Sequence, residues 1–306
     1  SIQSGGNYNV VVGDEAGTAL TTGDNNVAVG YAALDANQTA NHNVAIGGSA
    51  LGSNTTGANN TAVGGESMTA NTEGGNNVAL GYQSLHDLTT GNNNTAIGYQ
   101  ALSTEDAHGD NVAVGYQALK TLNAGADAFN TAVGYQAGVA VTEGVQNTLI
   151  GSLAGGALTH ADFNVAVGRN ALKTDTLGSR SVAIGRSALE TQNFTTATDA
   201  YNVAVGFNAG TSVTTGDENT LIGGLAGDAL TTGADNTALG SNALSGDTAG
   251  TDSVAIGRRA LRDQNFSTAT SSMNVAVGAS AGNLITTGIR NTLIGGGAGG
   301  ALTDAD

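Results

Sequence analysis

"NTAIGYQAL" at residues 94–102 is followed, across an eight-residue spacer, by "NVAVGYQAL" at residues 111–119. The two stretches are members of a long series. With the glycine of each N-x-A-x-G pentapeptide as origin, Gly30, Gly47, Gly64, Gly81, Gly98 and Gly115 are consecutive members of a register. It runs from Gly13 to Gly295 in seventeen copies, and thirteen of the sixteen intervals equal the step from Gly98 to Gly115. The longer intervals are a slightly extended one (116–134) and two longer still (186–206 and 258–278). The two longest carry matching inserts, "TQNFTTATDAYN" and "DQNFSTATSSMN", and "NTLIG" recurs at even spacing at 147–151, 219–223 and 291–295. A fixed period this short is the signature of a solenoid, in which each repeat, here called a rung, buries itself only against its neighbours.

The repeat itself predicts a strand and a corner. The residue before the glycine is Val, Ile or Leu in every copy, and the third before it is Val or Thr. Ala stands between them in thirteen copies. β-Branched residues two apart give the period of a strand, and a glycine directly after it suits a sharp corner. Turn chemistry such as "TTG" (21–23, 89–91) closes the coil. The Val, Ile and Leu side is expected to face the core. The Ala side, which is not polar either, is expected to admit another chain, since a strand apolar on both faces is usually covered on both. Asn opens the unit in fifteen copies, Asn94 and Asn111 among them, with Ser181 and Ser253 as the exceptions. Identical stacked Asn residues are expected to form a ladder.

A substitution pattern argues that the rungs pack rather than merely repeat. Ten copies have Leu or Met four residues after the glycine. The other seven have Gly there, and each then places an aliphatic residue three positions later: Leu20, Val141, Leu158, Val213, Leu230, Ile285 and Leu302. Each rung keeps at least one large apolar group while its position moves, as expected of a narrow core. The fold class that follows is an all-β, parallel β-solenoid or β-roll with coils of about seventeen residues, forming one repeat domain over residues 1–306.

Composition excludes several functions. The chain has 48 Gly, no Pro, no Cys, 4% aromatic residues and a net charge of −16. All nine Lys and Arg lie at or beyond Lys120, so no basic stripe exists to replace phosphate counterions, and nucleic acid is not an expected partner. No apolar run of about 18 residues is present, so no membrane insertion is expected in this segment. The absence of Met at Ser1 suggests a fragment or a processed product, and the absence of Cys is compatible with an exposed extracellular protein.

"SVAIG" at 181–185 and 253–257, with N-x-A-[VI]-G throughout, resembles the head repeats of trimeric autotransporter adhesins of the YadA type. The "NTAVGYQA" wording is similar to repeats of phage tail-fibre proteins. The resemblance covers essentially the whole chain and implies a homotrimer, a left-handed parallel β-roll and a surface-exposed fibre serving attachment. Host-cell surface glycan or protein is the implied partner, and a cell surface or a virion the implied location. The spacing of seventeen is longer than the family's usual head repeat, and no coiled-coil neck or anchor is present.

Candidate chemistry is sparse. His42, His86, His108 and His160 occupy unrelated rung positions, so no catalytic constellation, cofactor or metal site is expected. Turn acids such as Asp24, Asp217 and Glu218 offer at most adventitious cation contacts. The repeat does build one stripe: Tyr82, Tyr99, Tyr116 and Tyr135 each follow the motif glycine in four consecutive rungs, and Gln follows each. Stacking should place their rings about 5 Å apart. Such a column can serve as a glycan or receptor contact, or simply stabilise the stack. Arg169 and Arg186 occupy the same rung position further along. Phe194 and Phe266, in the two inserts, are expected either to protrude as contact loops or to plug the coil edge. An ice-binding surface would need a regular Thr array, and the Thr/Val strand position holds Thr in only seven scattered copies. A purely structural extracellular filament without a specific ligand is the competing expectation.

Overall fold

A computed structural model describes residues 6–304, so residues 1–5 and 305–306 of the expected single domain lie outside the described residues. The chain divides into two compact units, Ser1–Asn147 and Thr148–Asp306. Each is a stack of parallel rungs, about seventeen turns in all, and among the described residues there is no helix. The first unit holds eight three-residue motif strands, from Val10–Val12 to Thr131–Val133. The second holds nine, from Thr148–Ile150 to Thr292–Ile294. Neighbouring strands pair parallel and in strict register, as in Val27↔Val44, Ala28↔Ala45 and Val29↔Ile46. A one-residue slip would exchange the two faces of a strand, and the repeated Ala prevents it.

Corners are built from positive φ. All seventeen motif glycines lie between φ +125° and +145°. At Gly30 a Cβ would also sit 2.6 Å from the carbonyl oxygen of Gly47. Further left-handed residues complete each rung; in one rung they are Asn93, Gln100 and Leu102, at φ 60°, 51° and 51°. Left-handed residues cost energy except for Gly and, less so, Asn and Asp. The chain accepts this cost because each turn orients a side chain that the next rung then packs.

The strand faces are the reverse of the expectation. The central Ala is inside: Ala28, Ala45, Ala62, Ala79, Ala96 and Ala113 are all 0% exposed. The flanking branched residues face out, with Ile46, Leu80 and Ile97 about two-fifths exposed (39%, 41%, 37%). The alternation holds, but the larger residues lie outside and not in the core. Across so narrow a coil the strand has room for a methyl group only. The bulk comes from the opposite wall, where Leu34, Leu51, Met68, Leu85 and Leu102 fill the centre at 0% exposure. The Leu/Gly exchange is a packing exchange. A Cβ at Gly17 would lie 2.8 Å from a methyl of Leu20, the residue that replaces the missing Leu. Where the central Ala becomes Leu221, its methyls take the space beside both Gly210 and Gly227, 2.7 Å from a Cβ at either.

The Asn ladder forms, with its bonds directed to backbone. The Asn94 amide N–H donates to Asn77 Oδ1 at 2.8 Å, and the Asn111 N–H to Asn94 Oδ1 at 3.1 Å. Asn94 Nδ2 donates to the His108 carbonyl, and Asn111 Nδ2 to the Gly109 carbonyl. Both side chains are fully buried, so each satisfies a backbone donor and a loop carbonyl that would otherwise be orphaned.

In the inserts, Phe194 and Phe266 do not protrude. Each is 7% exposed, and their rings lie over Gly178 and Gly250. Around them the Ser exceptions in the ladder are repaired. Buried Gln192 donates through Nε2 to Asp175 Oδ2 at 2.6 Å and to Ser181 Oγ at 3.1 Å, and its Oε1 accepts from Asn202 Nδ2. Asp175 Oδ1 takes the N–H groups of Gly178 and Phe194. The same set recurs around the second insert, with Asp247, Gln264, Ser253 and Asn274. In each insert a two-residue strand adds a second pairing, Gly178–Ser179 with Thr198–Asp199 and Gly250–Thr251 with Thr270–Ser271.

Candidate contact surface

The tyrosine column is built by two features of the rung. The motif glycine turns the chain outward, and backbone bonds such as Gln100 N–H to the Tyr82 carbonyl (3.0 Å) tie each rung to its neighbour at this point. The rings of Tyr82 and Tyr99 are 5.8 Å apart at 20°, those of Tyr99 and Tyr116 5.3 Å at 9°, and those of Tyr116 and Tyr135 5.3 Å at 8°. This is offset stacking. All four are 43–52% exposed. Tyr82 leans over Gly65, whose missing side chain leaves room for it.

Beside the rings runs a second ladder. Gln136 donates to Gln117, Gln117 to Gln100 and Gln100 to Gln83, at 2.9–3.1 Å. Gln83 Nε2 ends on Glu66 Oε2 at 2.7 Å, and the Tyr82 hydroxyl donates to the same oxygen at 3.3 Å. The Glu66 carboxylate holds the Tyr82 phenol above its ordinary value, so the hydroxyl stays a donor. One carboxylate therefore fixes the direction of the whole chain of amides. The stripe is a rigid array of phenol rings and oriented amides. Tyr31, also directly after a motif glycine, is exposed but separated from the stack by Gly48 and Gly65.

In the second unit Arg169 and Arg186 occupy the tyrosine position and are both exposed. Phe207, one rung further, is 50% exposed with the Arg186 guanidinium 5.3 Å from its ring centre. Phe194 and Phe266 are removed from the contact surface by their burial.

Two arrangements were not anticipated from the sequence. Thr residues eight after the glycine form a hydroxyl ladder: Thr21, Thr55, Thr72, Thr214 and Thr231 each donate to the carbonyl one rung on, at 2.8–3.2 Å. Their hydroxyl protons are therefore committed to the stack. The available signal was the "TTG" recurrence, which turn chemistry alone also explains. The second is Glu105, Asp106 and His108, whose ligating atoms lie within 4.8 Å of one another. Glu105 is fully buried and accepts from the His108 and Ala124 N–H groups. Burial pushes its carboxyl up, against the opposing pull of those bonds and of His108. It occupies a core slot held elsewhere by Leu88 or Leu122, and that departure was the available signal.

Fold and surface together define a parallel β-solenoid repeat protein with exposed side-chain columns. Among the described residues no helix is long and apolar enough to cross a membrane. No family model, no curated protein and no solved structure matches the chain.

Proposed function

We propose that the chain is a non-enzymatic structural segment of an extracellular fibre, on a cell surface or a virion, that works in attachment. The observation that carries this reading is the Tyr82–Tyr99–Tyr116–Tyr135 stack, four exposed rings held in register above an oriented amide ladder. Aromatic rings beside amides suit sugar or protein contacts, and a repeated weak contact gains avidity. The fibre associates with copies of itself as a homotrimer. The exposed Val, Ile and Leu face of the first unit's strands supports this, replacing the Ala face that the sequence suggested. The test is binding of the whole chain to glycan arrays and to host cells. The variant with all four tyrosines changed to Ala is expected to lose most binding while keeping its circular dichroism. Unchanged binding would remove the stripe from the attachment reading.

A purely structural filament is the second reading, and one observation favours it. The Gln amides spend their bonds on one another, as a stabilising ladder does. Loss of thermal stability in the tyrosine variant, with no ligand found for the parent chain, is the outcome that selects it.

A further inference from the structure

We infer that a carboxylated saccharide docks on the second unit, across three rungs at residues 163–207. The inference rests on the attachment reading and names a ligand class for a surface separate from the tyrosine stripe. Its floor is the outward strand face formed by Val165 and Val167, Val182 and Ile184, and Val203 and Val205, with Ile184 39% exposed. One rim lies two residues before the strands and carries Phe163, Arg180 and Tyr201. The Arg180 guanidinium is 4.8 Å from the Phe163 ring centre and 6.0 Å from that of Tyr201, and its Nε is paired with Asp199 Oδ1 at 2.8 Å. The other rim lies two residues after the strands and carries Arg169, Arg186 and Phe207, brought onto successive rungs by the Ser187 N–H to Arg169 carbonyl and Asn208 N–H to Arg186 carbonyl bonds.

Charge decides the ligand. The chain holds 25 acidic residues against nine basic ones, so an arginine has acids in abundance to pair with. Arg180 does so, and Lys173 faces Glu190 at 4.0 Å. Arg169 and Arg186 reach solvent, occupy equivalent positions on adjacent rungs, and have no ion pair among the described residues. Like charges at equivalent positions on adjacent rungs repel one another, and among the described residues no ion pair offsets them. An external anion does. The Arg186 guanidinium is held over the Phe207 ring, which leaves its planar donor edge free for a planar carboxylate, the geometry a guanidinium binds bidentately. Phe163, Tyr201 and Phe207, 40–51% exposed, supply apolar area for the sugar ring itself. The tyrosine stripe of the first unit has rings and amides but no arginine, so it suits neutral ligands.

The test is calorimetric titration of the whole chain with a hexuronate oligomer, a neutral glucose oligomer and a sulfated oligosaccharide. The hexuronate oligomer is expected to bind and the neutral one not to bind at this surface. The interaction should weaken as salt rises from about 0.05 M to about 0.5 M. The double variant R169Q/R186Q should lose at least about tenfold in affinity with unchanged circular dichroism and mass in solution. Three results overturn the proposal. They are no hexuronate binding by the parent, binding confined to the sulfated probe, and a change of mass in the variant, which would assign the arginines to a contact between copies. Failure of hexuronate binding with cell attachment intact sinks this proposal alone. Hexuronate binding without cell attachment sinks the general attachment reading instead.

Discussion

At Gly81 two restrictions coincide: φ is +135°, and a Cβ would stand 2.5 Å from the Gly98 carbonyl oxygen. Ala at such a φ is strained by about 1–3 kcal/mol, and the overlap with backbone has no flexible end that can yield. Gly81→Ala is therefore expected to cost about 2–4 kcal/mol in chemical unfolding. Gly48 has no positive φ and open space around its missing Cβ, so Gly48→Ala should stay within about 1 kcal/mol of the parent. Equal effects at the two sites would show that corner geometry is not what the motif glycine supplies. Glu105 poses a different question at the same scale. Its folded-state carboxyl is raised by burial, so its contribution to stability is full below the unfolded value and is lost as pH rises through the folded one. Stability should accordingly fall as pH rises out of the ordinary carboxylate range. Glu105→Gln should flatten that fall, at the cost of a pH-independent offset, because an amide replaces one of the two accepting oxygens. A variant with the same slope as the parent would mean that the carboxyl stays ionised throughout.

Within a rung, the contents of one slot depend on another. Leu221 and Gly227 cannot both be large, since a Cβ at Gly227 lies 2.7 Å from a Leu221 methyl and 2.9 Å from a Leu230 methyl. Elsewhere the combination of a central Ala with two leucines is accommodated, as in Ala79, Leu85 and Leu88, all fully buried. Leu221→Ala alone should cost about 2–5 kcal/mol through the cavity it leaves, and Gly227→Leu alone should be destabilising by overpacking. The double change rebuilds the Ala–Leu–Leu rung and should recover at least about 1 kcal/mol relative to the sum, read from a double-mutant cycle in urea. Strict additivity would deny the exchange. This coupling was legible in the sequence, because swapping Leu for Gly at one position and adding an aliphatic three later leaves a visible trace. The strand period and the corner glycine were legible for the same reason. The choice of face was not, since Val-Ala-Val alternates identically whichever side is inside. The interior's width is set by left-handed turns at residues such as Gln100 and Leu102, which no local rule predicts for Gln or Leu. For Phe194 both protrusion and a plug over the coil edge were open, and the choice of burial depends on the distant Asp175 accepting its N–H.

At the scale of the molecule the reversed strand face changes where self-association should occur. Isolated exposed apolar residues need no explanation, but here every rung holds at least one outward Val, Ile or Leu in register, and unpartnered apolar stripes mark contact sites. Ile46, Leu80, Ile97 and Val133 belong to one such stripe in the first unit. The strong negative charge opposes association between copies, yet the motif strands themselves carry no charged residue, so the stripe can approach its like with little electrostatic cost. A homotrimer formed this way has a mass of about three times 29.9 kDa and should persist in high salt, where charge repulsion is screened. The double variant Leu80→Glu/Ile97→Lys tests the face without disturbing the rung, because opposite charges on neighbouring strands pair favourably and both positions already meet solvent. Light scattering should show the parent as a trimer and the variant as a species of 29.9 kDa with the same circular dichroism. A parent of 29.9 kDa would mean that the outward Val, Ile and Leu serve the rung ladder alone, and an associated variant would place the contact on another face.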